Sequence, residues 1–526
     1  MENIEIIFFL LLVSVLLVAI AQKIHVPYPL ILILGGAAIS FIPGIGTIYY
    51  NPNLILMIFL PPILYYSAFN ISFREFQRGW RGIFSLALGL VALTTLVVGI
   101  VFKWLFPQFS WSLAFAFGAI ISPPDAVAVT SILKRFSINN RLVTLLEGES
   151  LVNDASAIVI YKISMMALLT GSFSLGQGIW EFFYVATGGV IVGLALGMIF
   201  QVFSKRYLEP VLGVVFSFTI PYVTYVVADM LEVSGVLAVV VNGLIGARLL
   251  HMHHSSLRRV LGYAVWDILI IFLNCLVFIL IGLQVKTIAG GMTSYQIALY
   301  SGYALLIACV MVIVRLIWVY GRTAILYVKA MSQSHSAQRC PQILQESAIV
   351  GWAGMRGIVS LAVALALPFT LPDGMPLEGR NEVVFMTFIV ILITLLVPGL
   401  TLPRLIRWLK LHLVDQHHNE RAIRRKLAQH ADALMISFFE LKKINQKEYR
   451  FLKSYFHSQY KVLELAHEEE SNQARAESVR REIIDSQRSL LIEEWKRQGI
   501  DDKLFKHLEN ELDMLETHIA RANLKE

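Results

Sequence analysis

The chain has 526 residues, of which 56% are hydrophobic and only 15% charged. An average soluble domain carries about 25% charged residues, and too few polar groups are present here to cover a water-facing surface. This excludes an ordinary soluble enzyme for most of the chain. The charge is also uneven: residues 401–526 hold 44 charged side chains, and residues 1–400 hold 37. The expected organisation is a membrane block over 1–401 and a charge-rich cytosolic helical domain over 402–526. The net charge of +7 fits basic loops on one side of a membrane, so nucleic acid is not expected as a partner. Cys275, Cys309 and Cys340 are too few for a disulfide framework, and the first two read as small buried hydrophobes within apolar runs.

In chain order, the apolar run Ile6–Ile20 comes first. Glu2 and Glu5 precede it where a signal peptide has Lys or Arg. No small-residue cleavage site follows before Gln22 and Lys23, so it reads as a retained span. A crossing needs about 20 apolar residues. Spans are predicted near 4–21, 28–46, 53–71, 82–102, 111–133, 144–170, 178–203, 210–229, 233–250, 264–285, 295–321, 343–368 and 383–401. One set of loops carries Lys23, Arg74, Arg78, Arg81, Lys134, Arg135, Arg141, Lys205, Arg206, Arg248, Arg258, Arg259, Arg322, Lys329 and Arg339. The alternate loops carry only Lys103, Lys286 and Arg380. The positive-inside rule then puts the N-terminus outside and the tail in the cytoplasm. The expected fold is an all-α polytopic membrane protein of about 13 transmembrane helices.

Ionisable groups within spans cost at least ~2.5–3.5 kcal/mol each at a helix centre, which makes them functional candidates. In the fifth span, Ser122-Pro123-Pro124-Asp125 predicts a broken helix. Two prolines remove two backbone donors, and Asp125 starts a half-helix whose positive end favours a carboxylate. In the sixth span, Glu147, Ser150 and Asp154 share one face, and Glu149 and Asn153 lie on the neighbouring one. Such a cluster of oxygens suits a partly dehydrated alkali cation. Lys162, nearer the other end of this span, reads as snorkelling to the interface. Asp229 and Glu232 read as solvated loop acids, and Asp267 as a cytoplasmic-end residue. Arg315 and Arg356 cannot discharge, so each is expected to take a carboxylate from among the intramembrane acids, which leaves at least one acid free to titrate. Gly351, Gly354 and Gly357 allow a second broken helix in the twelfth span. The breaks fall at matching places of spans 1–6 and 8–13, as expected of two inverted six-helix repeats with a midplane site. Glu147 and Glu346 lie near the expected cytoplasmic entrances, as an ion funnel would.

The segments Ser-Pro-Pro-Asp-Ala-Val-Ala-Val (122–129), Glu-Gly-Glu-Ser-Leu-Val-Asn-Asp (147–154) and Gly-Met-Arg-Gly (354–357) resemble the monovalent cation:proton antiporter-1 family, the sodium/hydrogen exchangers. The resemblance implies 13 helices as inverted repeats with crossed broken helices in an ion-carrying core, and a homodimer in the plasma membrane. It implies that Asp154 binds the monovalent cation or the proton. It also implies that Asn153 goes with electroneutral exchange, that Glu149 and Ser150 match the family's Glu-Ser pair with Arg315 as the partner of Glu149, and that Asp125 matches the acid of its broken helix with Arg356 as its partner. Pro124 stands where the family commonly has threonine, so a hydroxyl is missing there and backbone carbonyls around Pro123 and Pro124 remain for the ion.

The leading expectation is antiport of protons against sodium, potassium or lithium by alternating access, electroneutral at one for one, serving pH and cation homeostasis. No cofactor is expected beyond the transported ions, and no enzyme activity. The alternative is a cation channel without proton coupling. Ser234-Gly235 raises an intramembrane hydrolase, but no histidine lies in a neighbouring span to activate the serine. In the tail, Glu420–His430 and Ser478–Lys496 suggest helices with coiled-coil pairing. His417, His418, His430, His457, His467, His507 and His518 make it a candidate pH sensor.

Overall fold

The computed structural model describes residues 3–409 apart from short stretches at 25, 43–51, 134–135, 137, 139, 171–174, 254–255, 332–339 and 372–373. It also describes 429–454 and scattered positions between 486 and 493. Lys134, Arg135, Arg339, most of the tail histidines and most of Glu420–His430 and Ser478–Lys496 lie outside the described residues, as do the side chains of Lys329 and Cys340. Two compact units are present, Met1–Leu413 and Val414–Glu526.

The first unit is helical. Its elements are α1 (Asn3–Lys23), α2 (Tyr28–Ser40), α3 (Pro52–Asn70), α4 (Phe73–Phe84), a π-helical turn (Ser85–Leu90), α5 (Val91–Leu105), α6 (Trp111–Ile121), α7 (Ala126–Leu133) and α8 (Asn140–Thr170). There follow α9 (Leu175–Tyr207), α10 (Pro210–Met230), α11 (Gly235–His253), α12 (Ser256–Leu283), α13 (Val285–Ala289), α14 (Ser294–Met331), α15 (Cys340–Trp352), α16 (Ile358–Leu365) and α17 (Arg380–Leu409). Among the described residues, eight helical segments are long and apolar enough to cross a membrane, and three apolar ones are shorter. A bilayer offers no water to backbone groups, so helices that satisfy their own hydrogen bonds are the form these apolar runs take.

Two neighbourhoods position the site. In one, α12 packs on α2 with the backbones almost touching: a Cβ on Gly36 would lie 2.3 Å from the Ile279 carbonyl, and one on Gly282 2.3 Å from that of Ile33. In the other, α6 packs on α5 and α8. There Gly118 lets the backbone of Thr95 approach to 2.5 Å of where a Cβ would sit. The π-helical turn faces α8, where the Ser156 hydroxyl donates to the Ala87 carbonyl at 2.7 Å. Phe102, Phe106, Phe109, Phe117, Tyr300 and Tyr303 form one aromatic cluster where α5 ends and α14 begins.

Several expectations change. The last helix of the block, α17, runs through residue 401 to Leu409, because Arg404 and Arg407 continue an apolar helix into a charged end. Cys275 is buried, but Cys309 is exposed on α14. An apolar side chain needs no protein cover where lipid can surround it. Ser234 is a helix cap, its hydroxyl accepting from the Leu237 N–H at 3.2 Å. In the second unit, residues 429–440 and 446–454 are helical. Asn445 and Glu448 cap the latter reciprocally, at 2.9 and 2.7 Å.

A candidate ion site at two broken helices

The two interrupted helices meet at their breaks. The Asp125 N–H donates to the Met355 carbonyl at 2.7 Å, tying the 122–125 gap to the 353–357 gap. Each break is stabilised by the groups it frees. Pro123 has no N–H for the Ala119 carbonyl, and the Ser122 hydroxyl donates there at 3.1 Å. Arg356 reaches into the end of α6, donating from Nε to the Ile121 carbonyl at 2.9 Å and from Nη2 to that of Ser122 at 3.2 Å. Its Nη1 donates to the Gly354 carbonyl at 2.6 Å, and its backbone N–H to Thr394 Oγ1 at 3.2 Å.

This corrects the expected pair of Arg356 with Asp125. The guanidinium serves bare carbonyls at the negative end of α6. Asp125 instead caps the positive end of α7, its Oδ1 accepting from the Val127 N–H at 2.9 Å. Gly357 makes room for it: a Cβ there would lie 2.5 Å from Asp125 Cβ and Cγ. Gly357→Ala is therefore expected to cost about 1–3 kcal/mol of overpacking strain and to lower the thermal midpoint in detergent. Gly302→Ala is the control, because a Cβ there meets nothing within 4 Å. Equal midpoints for the two variants would contradict this packing.

Helix α8 latches onto the break. The Asn153 amide donates to the Pro124 carbonyl at 3.0 Å, and Ser150 Oγ accepts from the Ala126 N–H at 3.2 Å. Glu149 turns to the other side. Arg315, on α14, donates to its two oxygens at 2.5 and 2.8 Å and from Nε to the Val350 carbonyl at 2.9 Å. Glu149 is 1% exposed and Arg315 2%, so their charges cancel in a dry, bidentate pair.

Asp154 differs. It is buried, yet among the described residues its carboxylate has no hydrogen-bond or ion-pair partner. It lines a cavity of about 450 Å³ together with Asp125, Ser150 and Glu147. The cavity extends past Thr130 and Ser131 of α7 and Asn70 of α3, toward the end of the bundle where α7 gives way to α8.

The structure thus brings Asp154, Asp125, Ser150 and Glu147 to one space. It leaves Glu149, Asn153 and Pro124 behind the lining as positioning groups, while Pro123 lines the cavity. Glu346 is half-buried on α15 and Lys162 exposed on α8, both away from the lining. Asp267 is not merely an end residue: it lines the cavity and accepts from the Tyr66 hydroxyl. Tyr28, Asn274 and Ser360 also line it, and a search for charges passes over such neutral groups. The available signal was Asn274, a lone amide in the apolar run Ile268–Leu283.

The surroundings suit an ion that sheds part of its water. Carboxylates, a hydroxyl and amide oxygens line one mostly apolar cavity, and these are the oxygen types that hard cations take. Among the described residues no cluster of His, Cys, Asp and Glu has the form of a tight metal site.

Known proteins place this arrangement. The chain is 32% identical over 416 residues to a sodium, potassium, lithium and rubidium/proton antiporter of Bacillus pumilus. That match covers 76% of this chain and 61% of the relative's length. It is 32% identical over 454 residues to an uncharacterized sodium/proton exchanger of Escherichia coli, covering 81% of this chain and 80% of that protein. The fold is similar to that of the sodium proton antiporter MjNhaP1 from Methanocaldococcus jannaschii at pH 8. There the TM-score is 0.60 and the identity 20%, over 78% of this chain and 99% of that one. The family model described as the transmembrane sodium/hydrogen exchanger matches residues 9–408. With three quarters of the chain under that match and its polar residues converging on two broken helices, the protein belongs to the sodium/hydrogen exchanger family.

Proposed function

We propose that this protein exchanges protons for sodium, potassium or lithium across the plasma membrane by alternating access, with Asp154 as the group that holds either a cation or a proton. The observation that carries the reading is the contrast among the buried acids. Glu149 is neutralised by Arg315 and Asp125 is occupied as a cap, while Asp154 faces the cavity with no protein partner among the described residues. A carboxylate so placed must take its counter-charge from the cavity, and a cation and a proton compete for it. A channel would need no such competition, and the named relatives are antiporters.

The membrane block is read as 13 crossings in two inverted six-helix repeats, with α6/α7 and α15/α16 as the fifth and twelfth. The N-terminus is then outside, and residues 402–526 form a cytoplasmic helical domain. The protein is read as a homodimer within the bilayer. On this topology the cavity opens to the cytoplasm, an inward-facing arrangement with Glu147 near its mouth. The test is cation-by-cation exchange in sealed proteoliposomes. Acid-loaded vesicles should release protons on addition of sodium, and cation flux without proton movement would contradict antiport.

Stoichiometry follows from the same groups. Arg356 no longer neutralises Asp125, so the question is whether Asp125 keeps its charge through the cycle. The α7 N-terminus that it caps favours the carboxylate, which leaves Asp154 as the one cycling acid. Exchange is then one for one and electroneutral. An imposed voltage is worth about 2.3 kcal/mol per elementary charge per 100 mV, yet it should not move the reversal point. Vesicles clamped with potassium and valinomycin, with sodium as the exchanged ion, read this directly. A reversal point that shifts with voltage would reject one-for-one exchange and point to a second proton carrier, Glu147, Lys162 or Asp125.

A further inference from the structure

We infer that Asn274, on the α12 wall of the cavity that Asp154 also lines, supplies with Ser360 oxygen ligands to the transported cation and so separates cation binding from proton binding. The inference rests on the exchange reading above and deepens it.

Two kinds of wall enclose the cavity. One is the carrier side: the break at Pro123 and Asp125, α8 with Ser150 and Asp154, and the start of α16 with Ser360. The other is α2, α3 and α12, which contribute Tyr28, Tyr66 and Asn274. The α2–α12 part of that second wall is held by the Gly36–Gly282 contact, where no side chain separates the backbones.

Asn274 is 3% exposed and Ser360 2%. Asn274 Oδ1 and Ser360 Oγ are both buried without a hydrogen-bond partner. Buried polar atoms are nearly always paired, and each exception calls for a cause such as an ion. Tyr28, on α2, lines the same cavity as Asp125 and Asn274. Polar side chains therefore stand on both walls of the cavity, with the Asn274 and Ser360 oxygens just beneath its surface. Hard cations take carboxylate, carbonyl and hydroxyl oxygens, the types present here. Asp154 offers at most two oxygens, and the neutral oxygens of Asn274 and Ser360 would add to those of Asp125 and Ser150 on the same cavity.

An amide oxygen has a further property that a carboxylate lacks. It coordinates a cation without taking up a proton near neutral pH. Asn274 therefore stabilises the cation-loaded form and adds nothing to the proton-loaded one. A cation held between Asp154 and Asn274 also bridges the carrier helices to the wall, and a proton on Asp154 does not.

The experiment compares wild type, Asn274→Leu, Ser360→Ala and Asn274→Asp in proteoliposomes. The readouts are half-saturating sodium and lithium concentrations and the pH dependence at saturating cation. Loss of one neutral ligand corresponds to about 1 kcal/mol or more, so half-saturation should rise by roughly fivefold to tenfold in Asn274→Leu. It should rise less in Ser360→Ala, and the pH dependence should stay in place for both. Asn274→Asp restores an oxygen and should bind sodium at least as tightly as wild type. Sodium-dependent thermal stabilisation of the purified variants gives the same order without transport. If Asn274→Leu fails to fold, Asn274→Asp and Ser360→Ala carry the test, and half-saturation unchanged in Ser360→Ala together with weakened binding in Asn274→Asp overturns the inference. Wild-type half-saturation in folded Asn274→Leu also overturns it, and means that water alone serves the Asn274 oxygen. If wild type itself moves no protons against sodium, the exchange reading has failed instead.

Discussion

Asp154→Asn is expected to insert and fold normally and to show no cation-dependent proton movement. The substitution keeps the shape of the side chain and removes the one group that can alternate between charged and protonated forms. Little structural cost should accompany it, because among the described residues no protein group donates to or pairs with the Asp154 carboxylate. An uncharged amide leaves an alkali cation facing Asp125 and neutral oxygens, with no group to hand a proton back. The activity lost should be the whole of it, at least about 100-fold or to background; each tenfold corresponds to ~1.4 kcal/mol. The measurement is dequenching of a pH-sensitive dye in proteoliposomes on addition of sodium and lithium. Retained exchange in this variant would remove Asp154 from the centre of the mechanism. Asp154→Glu offers a finer comparison: it keeps the titrating group but moves it by a methylene, so exchange should persist at reduced rate.

Removing either partner of the Glu149–Arg315 pair should have the opposite profile, with folding damaged first. The two side chains are almost fully buried and joined by two hydrogen bonds. Taking one away strands the other charge in a dry environment at about 3–5 kcal/mol. That is a large part of the ~5–15 kcal/mol by which folded proteins are typically stable. Glu149→Ala and Arg315→Ala should therefore give poor yields and thermal midpoints well below that of Asp154→Asn. Arg315→Lys should rescue only part of the loss, because an ammonium cannot reproduce the planar fork that reaches both oxygens and the Val350 carbonyl. Wild-type thermal midpoints in both alanine variants would show that the pair contributes little to the fold. The ordering against Asp154→Asn matters most, since it separates an acid that holds the structure together from one that works in it.

The sequence by itself was most informative where local physics is decisive. Apolar runs in a bilayer must satisfy their own backbone hydrogen bonds, so the helical order followed from hydropathy. The need of a buried arginine for a counter-charge was legible, the resemblance matched Arg315 to Glu149, and a surplus acid was legible by subtraction. Other features were beyond it. Pro61-Pro62 and Pro123-Pro124 are the same dipeptide in similar apolar settings, yet α3 continues through the first and the chain breaks at the second. In α3, Tyr222 donates its hydroxyl to the Ile58 carbonyl that Pro62 cannot serve, at 2.9 Å, and the helix closes over the defect. At 123–124, Arg356, Asn153 and the Met355 carbonyl come from other helices to hold the chain open. Which outcome a proline pair has is set by what tertiary packing brings to its orphaned carbonyls. The same reason explains why Arg356 went to carbonyls and Asp125 to a helix end: the charge rule alone would have paired them, and the placement of α6 and α7 gave each a helix end instead. Asp267 and Asn274 joined the site for a like reason. They lie over a hundred residues from Asp154 in the chain, and only the packing of α12 against α2 and α3 puts them on one cavity with it.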